Sequence, residues 1–352
     1  MEQRDIRLQH SGTESKVPAL GHYKIRSGVE AVSTDVPEIV YVIEEKLRRQ
    51  AKVAILGKWK AAKSFLAIQM GMAIAAGEEF LGFKTTASNV LYINFEISEE
   101  MFQQRVQDAH RVLGFDLSRF RYVSINELCL DLGTEELNAM LEQCLQEGFN
   151  VEVLIIDPRW KAITRDSNQD EVVRAFCVNL DRVIEKYKLT VIVIHHEGAA
   201  TASDKAGKGS TVFEAWLDGW FKIKPYINMP NVRELDIWSR DSERQSIVAE
   251  FDYPIHKVKP ELIAEKKAKT DKAKKYILEL LQSGDMQEKE VRFRVLGAGH
   301  TEYAFWRARK ELVGEGRVRI YKGNGQGNRK MIGLYREEVH DVAQQKPLTN
   351  GN

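Results

Sequence analysis

The chain has 352 residues, enough for one large domain and a smaller one, and 43% of them are hydrophobic, as in a protein with a buried core. The formal net charge of +1 excludes no class of partner. The charge is unevenly distributed, because Lys257 to Lys330 contains 19 Lys and Arg against 10 Asp and Glu. This imbalance indicates that the C-terminal part contacts a polyanion, the alternative being a solvated helical face.

Cysteine usage and hydropathy favour a cytoplasmic protein. The three cysteines, Cys129, Cys144 and Cys177, form no CxxC pair, which argues against a disulfide framework or a zinc site and fits a reducing compartment. The N-terminal residues lack the apolar core of a secretory signal, and no run approaches the roughly 18 apolar residues of a membrane-spanning helix. We therefore expect a cytoplasmic protein that does not contact a membrane.

The first 49 residues are predicted to hold little regular structure. Residues 1–35 are polar and without periodicity, which predicts a flexible arm. Pro37 to Arg49 is predicted to be a short helix with Pro37 at its first position, where proline is well tolerated.

Apolar strands alternate with helices over the next 150 residues. Strands are predicted at Val53–Leu56, Asn89–Phe95, Phe120–Ser124, Val151–Ile156 and Thr190–His195, and helices at Phe65–Ala76, Glu99–Leu113, Glu135–Glu147 and Asp170–Tyr187. This alternation predicts an α/β fold with a mostly parallel sheet covered by helices on both faces. Leu217–Lys224, Arg233–Ser239 and Ile247–Phe251 then follow as strands without helices between them, which predicts an antiparallel extension of the sheet.

A phosphate-binding loop is predicted between the first of these strands and its helix. The residues concerned are Gly57, Lys58, Trp59, Lys60, Ala61, Ala62, Lys63 and Ser64, followed by Phe65 in the helix. The P-loop pattern is GxxxxGK[ST] between a strand and a helix, where backbone N–H groups and the helix N-terminus bind phosphate oxygens. Lys63 is expected to neutralise the β and γ phosphates of ATP, and Ser64 to bind Mg²⁺.

One residue departs from the P-loop pattern. Ala62 stands where the pattern has glycine, and its methyl group disfavours backbone angles that glycine adopts easily. The alternative for the whole segment is a chance match in an ordinary turn between a strand and a helix.

Three other strands end in polar side chains. Val153 to Asp157 has the Walker B form, an apolar strand ending in a carboxylate, and Asp157 is expected to hold Mg²⁺. Glu96 follows another strand and is a candidate general base for the attacking water, or else a surface residue. His195 and His196 end a third strand as candidate sensors of the γ phosphate, with a metal site or a buried pair as alternatives. All would line one crevice at the carboxyl edge of the sheet.

These motifs together resemble those of RecA-like P-loop ATPases of the RepA type, which are ring-forming replicative helicases of plasmids and phages. The resemblance covers about Pro37 to Phe251 and is carried by the segments GKWKAAKSFLA, LYINFE, VLIIDP, VIVIHHEG and GKGSTVFEAWLDG. It implies that Lys63 and Glu96 are catalytic, that Asp157 binds the metal, and that His195 or His196 senses the γ phosphate. It also implies a homo-oligomer, typically a hexamer, with ATP between subunits.

The resemblance further implies residues that contact DNA and a neighbouring subunit. Gly209 and Ser210 match a step in a loop that faces single-stranded DNA in the ring channel, and Lys205 and Lys208 beside it suit phosphate contacts. Arg240 lies where the family places a Lys-x-Arg pair that reaches the neighbouring nucleotide, with a surface arginine as the alternative. Because Trp238 occupies the lysine position, Arg240 alone is a candidate arginine finger.

The C-terminal residues are predicted to form a winged helix. Helices are predicted at Thr270–Gln282, Gln287–Val295 and Thr301–Leu312, and strands at Arg317–Lys322 and Met331–Tyr335. The third helix would enter the major groove of duplex DNA, and the wing would contact phosphates. The candidate DNA-contacting residues are Arg307, Arg309, Lys310, Arg329 and Lys330, and the alternative is a winged helix that binds protein.

The predicted domain boundaries follow from these assignments. They are a flexible arm (1–35), a RecA-like ATPase domain (36–255), a basic linker (256–270), a winged-helix domain (271–338) and a disordered tail (339–352). Three functions are compatible with them: a DNA helicase or translocase of a plasmid, phage or other mobile element; a DNA-bound ATPase switch that acts as a recombination mediator or plasmid regulator; and a nucleotide-binding, DNA-binding module with little hydrolysis.

Overall fold

A computed structural model describes residues 26–36, 38–125, 135–162, 170–196, 208–226, 229–323 and 329–335. The chain divides into two compact units, Met1–Ile39 and Val40–Asn352. The described part of the first unit contains helix α1 (Gly28–Ser33), which begins with a capping box, since the Ser27 hydroxyl accepts a hydrogen bond from the Glu30 backbone N–H at 3.1 Å. None of the helices in the described ranges is long and apolar enough to cross a bilayer.

The second unit holds the remaining elements, numbered in chain order. They are β1 (Tyr41–Ile43), β2 (Leu47–Arg48), β3 (Lys52–Gly57), α2 (Lys63–Ala76), β4 (Val90–Asn94), α3 (Glu99–Leu113), β5 (Phe120–Ser124), α4 (Glu136–Gln146), β6 (Val153–Asp157), a 3₁₀ turn (Arg159–Ala162), α5 (Asp170–Tyr187), β7 (Thr190–His196), α6 (Lys208–Trp216), β8 (Gly219–Tyr226), β9 (Met229–Ser239), β10 (Ser242–Asp252), β11 (Ile255–Val258), α7 (Pro260–Leu281), β12 (Met286–Gln287), α8 (Glu288–Gly297), α9 (Glu302–Gly314), β13 (Val318–Lys322) and β14 (Lys330–Leu334).

The fold is α/β, as predicted. One large sheet has the strand order β11-β10-β9-β8-β3-β7-β6-β4-β5. The strands from β8 to β5 pair in parallel, and β8 to β11 form an antiparallel extension at one side, which confirms the predicted sheet. The carboxyl ends of β3, β4, β6 and β7 therefore lie along one edge, where ligands bind in open α/β sheets.

Apolar side chains on both faces of the sheet explain why its central strands are continuous hydrophobic runs. Successive residues of a strand point to opposite faces, so Ile55 of β3 packs in one core and its neighbour Leu56 in the other. Helices α2 and α3 cover the first face, and α4, α5 and α6 cover the second. Burial on both faces is typical of parallel sheets with crossover helices.

The helix predicted over Pro37–Arg49 is wrong. Strands β1 and β2 form an antiparallel hairpin there, with Glu45 at a positive φ of 57° in the turn. Val42 and Ile43 are buried, and the Val42 carbonyl accepts a hydrogen bond from the Thr86 backbone N–H at 2.9 Å. β-Branched residues such as these favour an extended backbone, and their segment pairs with residues that are distant in the sequence. These tertiary contacts outweigh the local preference for a helix. Pro37 itself lies outside the described residues.

The secondary structure of the predicted linker also differs from expectation. The helix predicted from Thr270 begins at Pro260, so residues 256–270 hold most of β11 and the first half of α7. Pro260 occupies the first helical position, which suits its fixed φ, and Lys266 of the early turns pairs with Glu234 at 2.6 Å. The predicted domain boundaries themselves remain predictions.

The C-terminal part of the second unit has its own small core. Helices α7, α8 and α9 surround Ile277, Val291, Phe305 and Leu312, and a three-stranded antiparallel sheet has the order β12-β14-β13. Phe305 and Leu312 are fully buried in this core. Residues 324–328, which belong to the predicted turn between the last two strands, lie outside the described residues.

Candidate nucleotide-binding site

Gly57 ends strand β3 where the neighbouring strand β8 approaches closely. Its φ is not among the positive values of the chain. A Cβ at this position would lie 2.5 Å from Cγ2 and 2.8 Å from the carbonyl oxygen of Ile223 in β8. The glycine is therefore required by the close approach of the neighbouring strand, which sets the start of the loop.

Ala62 adopts the left-handed conformation that glycine usually provides in this loop. Its φ and ψ are 63° and 31°, and it is the N-cap residue of α2. This conformation costs a residue with a Cβ about 1–2 kcal/mol. The departure from the P-loop pattern is thus accommodated with backbone strain. Lys60, two residues earlier, also has a positive φ, of 62°.

Lys63 is held in place by two acceptors. Its side chain is only 3% exposed, and Nζ donates to the Lys58 carbonyl at 2.8 Å and to Nδ1 of His196 at 2.9 Å. The second contact follows from the sheet, since β3 and β7 pair in parallel with Gly57 opposite His196. The lysine predicted to bind phosphate is therefore anchored at the carboxyl edge of two neighbouring strands.

The structure separates the two candidate histidines. Burial and the Lys63 ammonium lower the pKa of His196, so its ring is neutral at pH 7 and Nδ1 accepts the lysine hydrogen bond. The remaining proton is then on Nε2, which can donate to a ligand. His195 instead faces Arg159, whose Nε lies 3.4 Å from its Nδ1. Burial, followed by the charge of Arg159, lowers the pKa of His195 to about 3.

Ser64 and Glu96 meet across the cleft. The Ser64 hydroxyl donates to Oε2 of Glu96 at 3.2 Å. The backbone N–H of Glu96 donates to the Asn94 side chain at 3.1 Å, and its carbonyl lies 3.4 Å from Nζ of Lys161. The segment after β4 is thereby fixed so that its carboxylate faces the first residues of α2.

Asp157 is a buried carboxylate with one oxygen available. It is 2% exposed, and Oδ2 accepts a hydrogen bond from the Tyr92 hydroxyl at 2.6 Å. Burial raises the pKa of Asp157 to about 6, and the hydrogen bond from Tyr92 opposes this rise. Oδ1 is buried without a hydrogen-bond partner among the described residues. An unpaired carboxylate oxygen near the Ser64 hydroxyl fits a divalent cation, which Mg²⁺-binding proteins usually hold by one or two such groups together with phosphate oxygens.

These side chains surround a cleft of about 300 Å³. It is lined by Trp59, Lys60, Ala61, Ala62, Lys63, Ser64, Phe65, Glu96, Ile97, Arg105, His196 and Phe251. The cleft thus brings most of the predicted loop together with Glu96 and His196, while Asp157 lies beneath it and contacts Tyr92.

A family model described as an AAA domain matches residues 24–202, just over half of the chain. The chain belongs to this family. Membership supports a P-loop ATPase and nucleotide binding, in agreement with the loop and cleft described above. No curated protein matches the chain in sequence.

Sequence reasoning missed several residues of the AAA-domain site. Arg105 of α3 lies over the Phe65 ring at 4.5 Å and lines the cleft. Arg159 is 3% exposed, lies 4.7 Å from the Phe213 ring, and burial lowers its pKa to about 10. The sequence contained a signal for Arg159, because this charged residue directly follows the apolar strand β6 and Pro158. The positions of Arg105 and Tyr92 depend on tertiary packing and left no comparable pattern.

Arg240 does not line the nucleotide cleft of this chain. It follows β9, is paired with Asp218 at 3.5 Å, and donates to the Leu217 carbonyl at 3.3 Å, with 54% of its side chain exposed. Trp238, at the position of the absent lysine, packs on Trp220 with ring centres 4.4 Å apart. More than half of the Arg240 side chain is therefore accessible to another molecule.

The residues predicted to contact DNA near the sheet are only partly described. Lys205 lies outside the described residues. Lys208, Gly209 and Ser210 form the first turn of α6, so the loop expected at these positions is wrong. The structure describes the backbone of these three residues and not their side chains. Packing of α6 against α5, through Phe213 and Trp216, accounts for helix where a loop was expected.

The predicted DNA-contacting residues of α9 differ in whether their side chains are already paired with other side chains of the protein. Arg309 makes two hydrogen bonds to Oε2 of Glu288, at 2.8 and 2.6 Å, and is half-buried, so its guanidinium is already engaged within the protein. Arg307 pairs with Glu311 at 2.9 Å. Lys310 is exposed, as are Arg329 and Lys330 at the start of β14.

Proposed function

We propose that the protein is an ATP-hydrolysing, ring-forming DNA helicase or translocase of the RepA type that acts in replication of a plasmid, phage or other mobile element. The observation that carries this proposal is the cluster of Lys63, Ser64, Glu96 and His196 around one cleft, with Asp157 beneath it. A lysine, a hydroxyl and two carboxylates are groups that P-loop sites use to bind and hydrolyse a nucleoside triphosphate, and the neutral His196 adds a hydrogen-bond donor.

Binding of ATP would use the loop and the start of α2. The N-terminal N–H groups of a helix and its positive dipole end favour the phosphates, and Lys63 adds a positive charge. Ser64 and the free oxygen of Asp157 would hold Mg²⁺, which when bound neutralises the charge of the β and γ phosphates. Phosphate would share the three N–H donors of the Lys63 ammonium with His196 and the Lys58 carbonyl.

Hydrolysis would depend on Glu96 and His196. Glu96 would accept a proton from the attacking water, and its hydrogen bond with Ser64 keeps the carboxylate within the cleft before the nucleotide enters. His196 would donate from Nε2 to a γ-phosphate oxygen, because Nδ1 is already used by Lys63. Loss of the γ phosphate would change this contact at the end of β7 and so reach the residues that follow the strand.

The ring and its DNA contacts extend this proposal. Arg240, half exposed after β9, would reach the nucleotide of a neighbouring subunit once its ion pair with Asp218 opens. The residues from Lys205 to Ser210 would face single-stranded DNA in the channel. The order α7-β12-α8-α9-β13-β14 supports the proposal of a winged helix, which would bind duplex DNA through the exposed Lys310 and the basic residues Arg329 and Lys330.

A second function, a DNA-bound ATPase switch without unwinding, is favoured by two observations. Trp238 packs against Trp220 where the helicases have a lysine, which leaves one residue of the finger pair, and Ala62 adds strain to the phosphate loop. A recombination mediator or plasmid regulator would tolerate the slow hydrolysis that these features predict, as would a nucleotide-binding, DNA-binding module with little hydrolysis.

Unwinding of a forked DNA duplex distinguishes these functions. The motor requires strand displacement that depends on ATP and is lost in Lys63→Ala. ATP hydrolysis without displacement would contradict the motor and support the switch, and nucleotide binding without hydrolysis would support the binding module. The molar mass in solution with ATP and DNA tests the ring, which a strict monomer would exclude.

A further inference from the structure

An exposed tryptophan of α9 lies where two clefts of the second unit meet. Trp306 is 42% exposed. The first cleft, of about 320 Å³, lies between α8, Trp306 and the start of β14. The second, of about 630 Å³, lies between α9 and strands β8 to β10. A large indole ring shared by two adjoining clefts is placed to contact a ligand that runs through both.

The charge around Trp306 is predominantly positive. The first cleft is lined by Lys289, Arg292, Arg329 and Lys330, and the second by Lys224, Arg244, Arg307 and Lys310. The acidic residues of the two clefts are already paired, since Glu288 is bound by Arg309, Asp236 by Arg244, Glu234 by Lys266 and Glu311 by Arg307.

In the described part of the chain, four of the cations around Trp306 form no ion pair. Lys289, Lys310, Arg329 and Lys330 are exposed, and within the described ranges none of them forms an ion pair. The surplus charge therefore attracts an anion, and its spread over two clefts favours a chain of anionic groups over a single ion.

The indole nitrogen of Trp306 already has a hydrogen-bond partner, so a ligand would contact the ring surface. The indole N–H donates to Glu302 at 3.3 Å, and Glu302 is also paired with Arg292. The guanidinium groups of Arg309 and Arg292 lie over the ring, with their carbons 5.6 and 5.9 Å from its centre. The exposed part of the indole is therefore a π surface beside positive charge, which suits a planar group joined to a phosphate.

We propose that Trp306 and the basic residues of the two clefts form a binding site for single-stranded nucleic acid. An unpaired base stacks on the Trp306 ring, and the flanking phosphates meet the cations of the two clefts, among them Lys310 and Lys330. Stacking requires an open base face, which a single strand provides and the interior of a duplex does not. The inference rests on the proposed function, because opening a duplex is what supplies the strand, and it changes which form of DNA α9 binds.

The conformation of α9 disfavours the alternative of base-edge readout in a duplex. Glu302, Trp306 and Lys310 follow at four-residue intervals and form its exposed ridge. Arg309, the side chain best suited to bidentate contact with guanine, is occupied by two hydrogen bonds to Glu288. A ridge of an acid, an indole and a lysine presents few groups that discriminate base pairs.

The test compares binding of a fluorescein-labelled oligothymidylate of about 12 nucleotides and a hairpin duplex to the full chain by fluorescence anisotropy. We expect Trp306→Ala to weaken single-strand binding about 5- to 150-fold, because stacking on one aromatic residue contributes this much. Trp306→Phe keeps a π face and should retain most of the affinity. Glu302→Gln should strengthen binding, since it removes the acid beside the ring.

Val313→Ala, an exposed residue of the same helix that lines neither cleft, is the matched control and should bind as the wild type does. Equal single-strand affinity of wild type, Trp306→Ala and Trp306→Phe would overturn the inference while leaving the proposed function in place. Loss that is confined to the hairpin duplex would overturn it in favour of duplex binding. If the wild type binds neither probe, both the inference and the proposed action on DNA fail. An oligouridylate probe in parallel separates RNA from DNA as the source of the strand.

Discussion

The ammonium of Lys63 lies 2.9 Å from Nδ1 of His196, so the residue predicted to bind phosphate and the last residue of the neighbouring strand share a hydrogen bond. The parallel register of β3 and β7 creates this contact. A phosphate bound by Lys63 would share the three N–H donors of this ammonium with His196, so we expect nucleotide entry and departure to alter this contact at the end of β7.

The two histidines at the end of β7 should therefore differ in function. We expect His196→Ala to reduce ATP turnover about 10²-fold with a smaller effect on nucleotide affinity, because it removes a donor that is needed most as charge develops on the γ phosphate. His195→Ala is the matched control, since His195 faces Arg159 and does not line the cleft. Steady-state hydrolysis and binding of a fluorescent ATP analogue measure the two effects. Equal loss of turnover in both variants would contradict the assignment.

The strain at Ala62 predicts an unusual response to glycine. Ala62→Gly removes a left-handed strain of about 1–2 kcal/mol and adds unfolded-state entropy of about 0.5–1 kcal/mol, so the protein should become up to about 1.5 kcal/mol more stable. Ala61→Gly is the control, because Ala61 is buried without a positive φ and its replacement should be destabilising. Chemical denaturation measures both. Destabilisation by Ala62→Gly as large as that of Ala61→Gly would show that the strain has no energetic consequence.

The raised pKa of Asp157 predicts how stability changes with pH. Burial stabilises the neutral carboxyl and raises its pKa to about 6, so the folded protein binds more protons than the unfolded chain between about pH 4 and 6. This contribution to stability is complete below about pH 4 and decreases as pH rises through 6. Asp157→Asn does not titrate, and should therefore gain stability relative to wild type from pH 4 to 7.

Thermal melts of the two proteins without nucleotide across this range test the prediction, and a constant difference between them would contradict it. If Asp157 holds Mg²⁺ as proposed, the cation favours the ionised carboxylate, so Mg²⁺ binding to the wild type should strengthen as pH rises through about 6.

The strand ends of the central sheet could be predicted from the sequence, and much of what joins them could not. Apolar runs ending in Gly57, Asp157 and His195–His196 are local signals. Parallel pairing brings the carboxyl ends of these strands to one edge of the sheet, regardless of the structure of the connecting loops. The Tyr92 hydrogen bond to Asp157 depends on which strands are neighbours, information that no single segment carries. The hairpin β1–β2 was missed because its stability comes from contacts with residues after α2.

Glu96 should govern hydrolysis and not binding. Glu96→Gln keeps a side chain that can contact Ser64 but cannot accept the proton of water, so turnover should decrease about 10²- to 10⁴-fold while ATP affinity is maintained. Glu100→Gln, an exposed glutamate at the start of α3, is the matched control and should be unaffected. Single-turnover hydrolysis with bound ATP makes the measurement independent of affinity. Turnover that is unchanged in Glu96→Gln would remove Glu96 from the mechanism.

Mixing of inactive subunits tests whether Arg240 acts on a neighbouring nucleotide. Lys63→Ala subunits lack a working site but retain Arg240, and Arg240→Ala subunits have the reverse defect. In a ring with heterologous interfaces, random mixing gives about one interface in four with an intact site facing an intact arginine. We therefore expect two nearly inactive preparations to regain ATP hydrolysis when mixed. Breaking the ion pair by Asp218→Asn should leave Arg240 freer and should not abolish hydrolysis. If the mixture has only the summed activity of its parts, Arg240 acts within its own subunit or plays no part in hydrolysis.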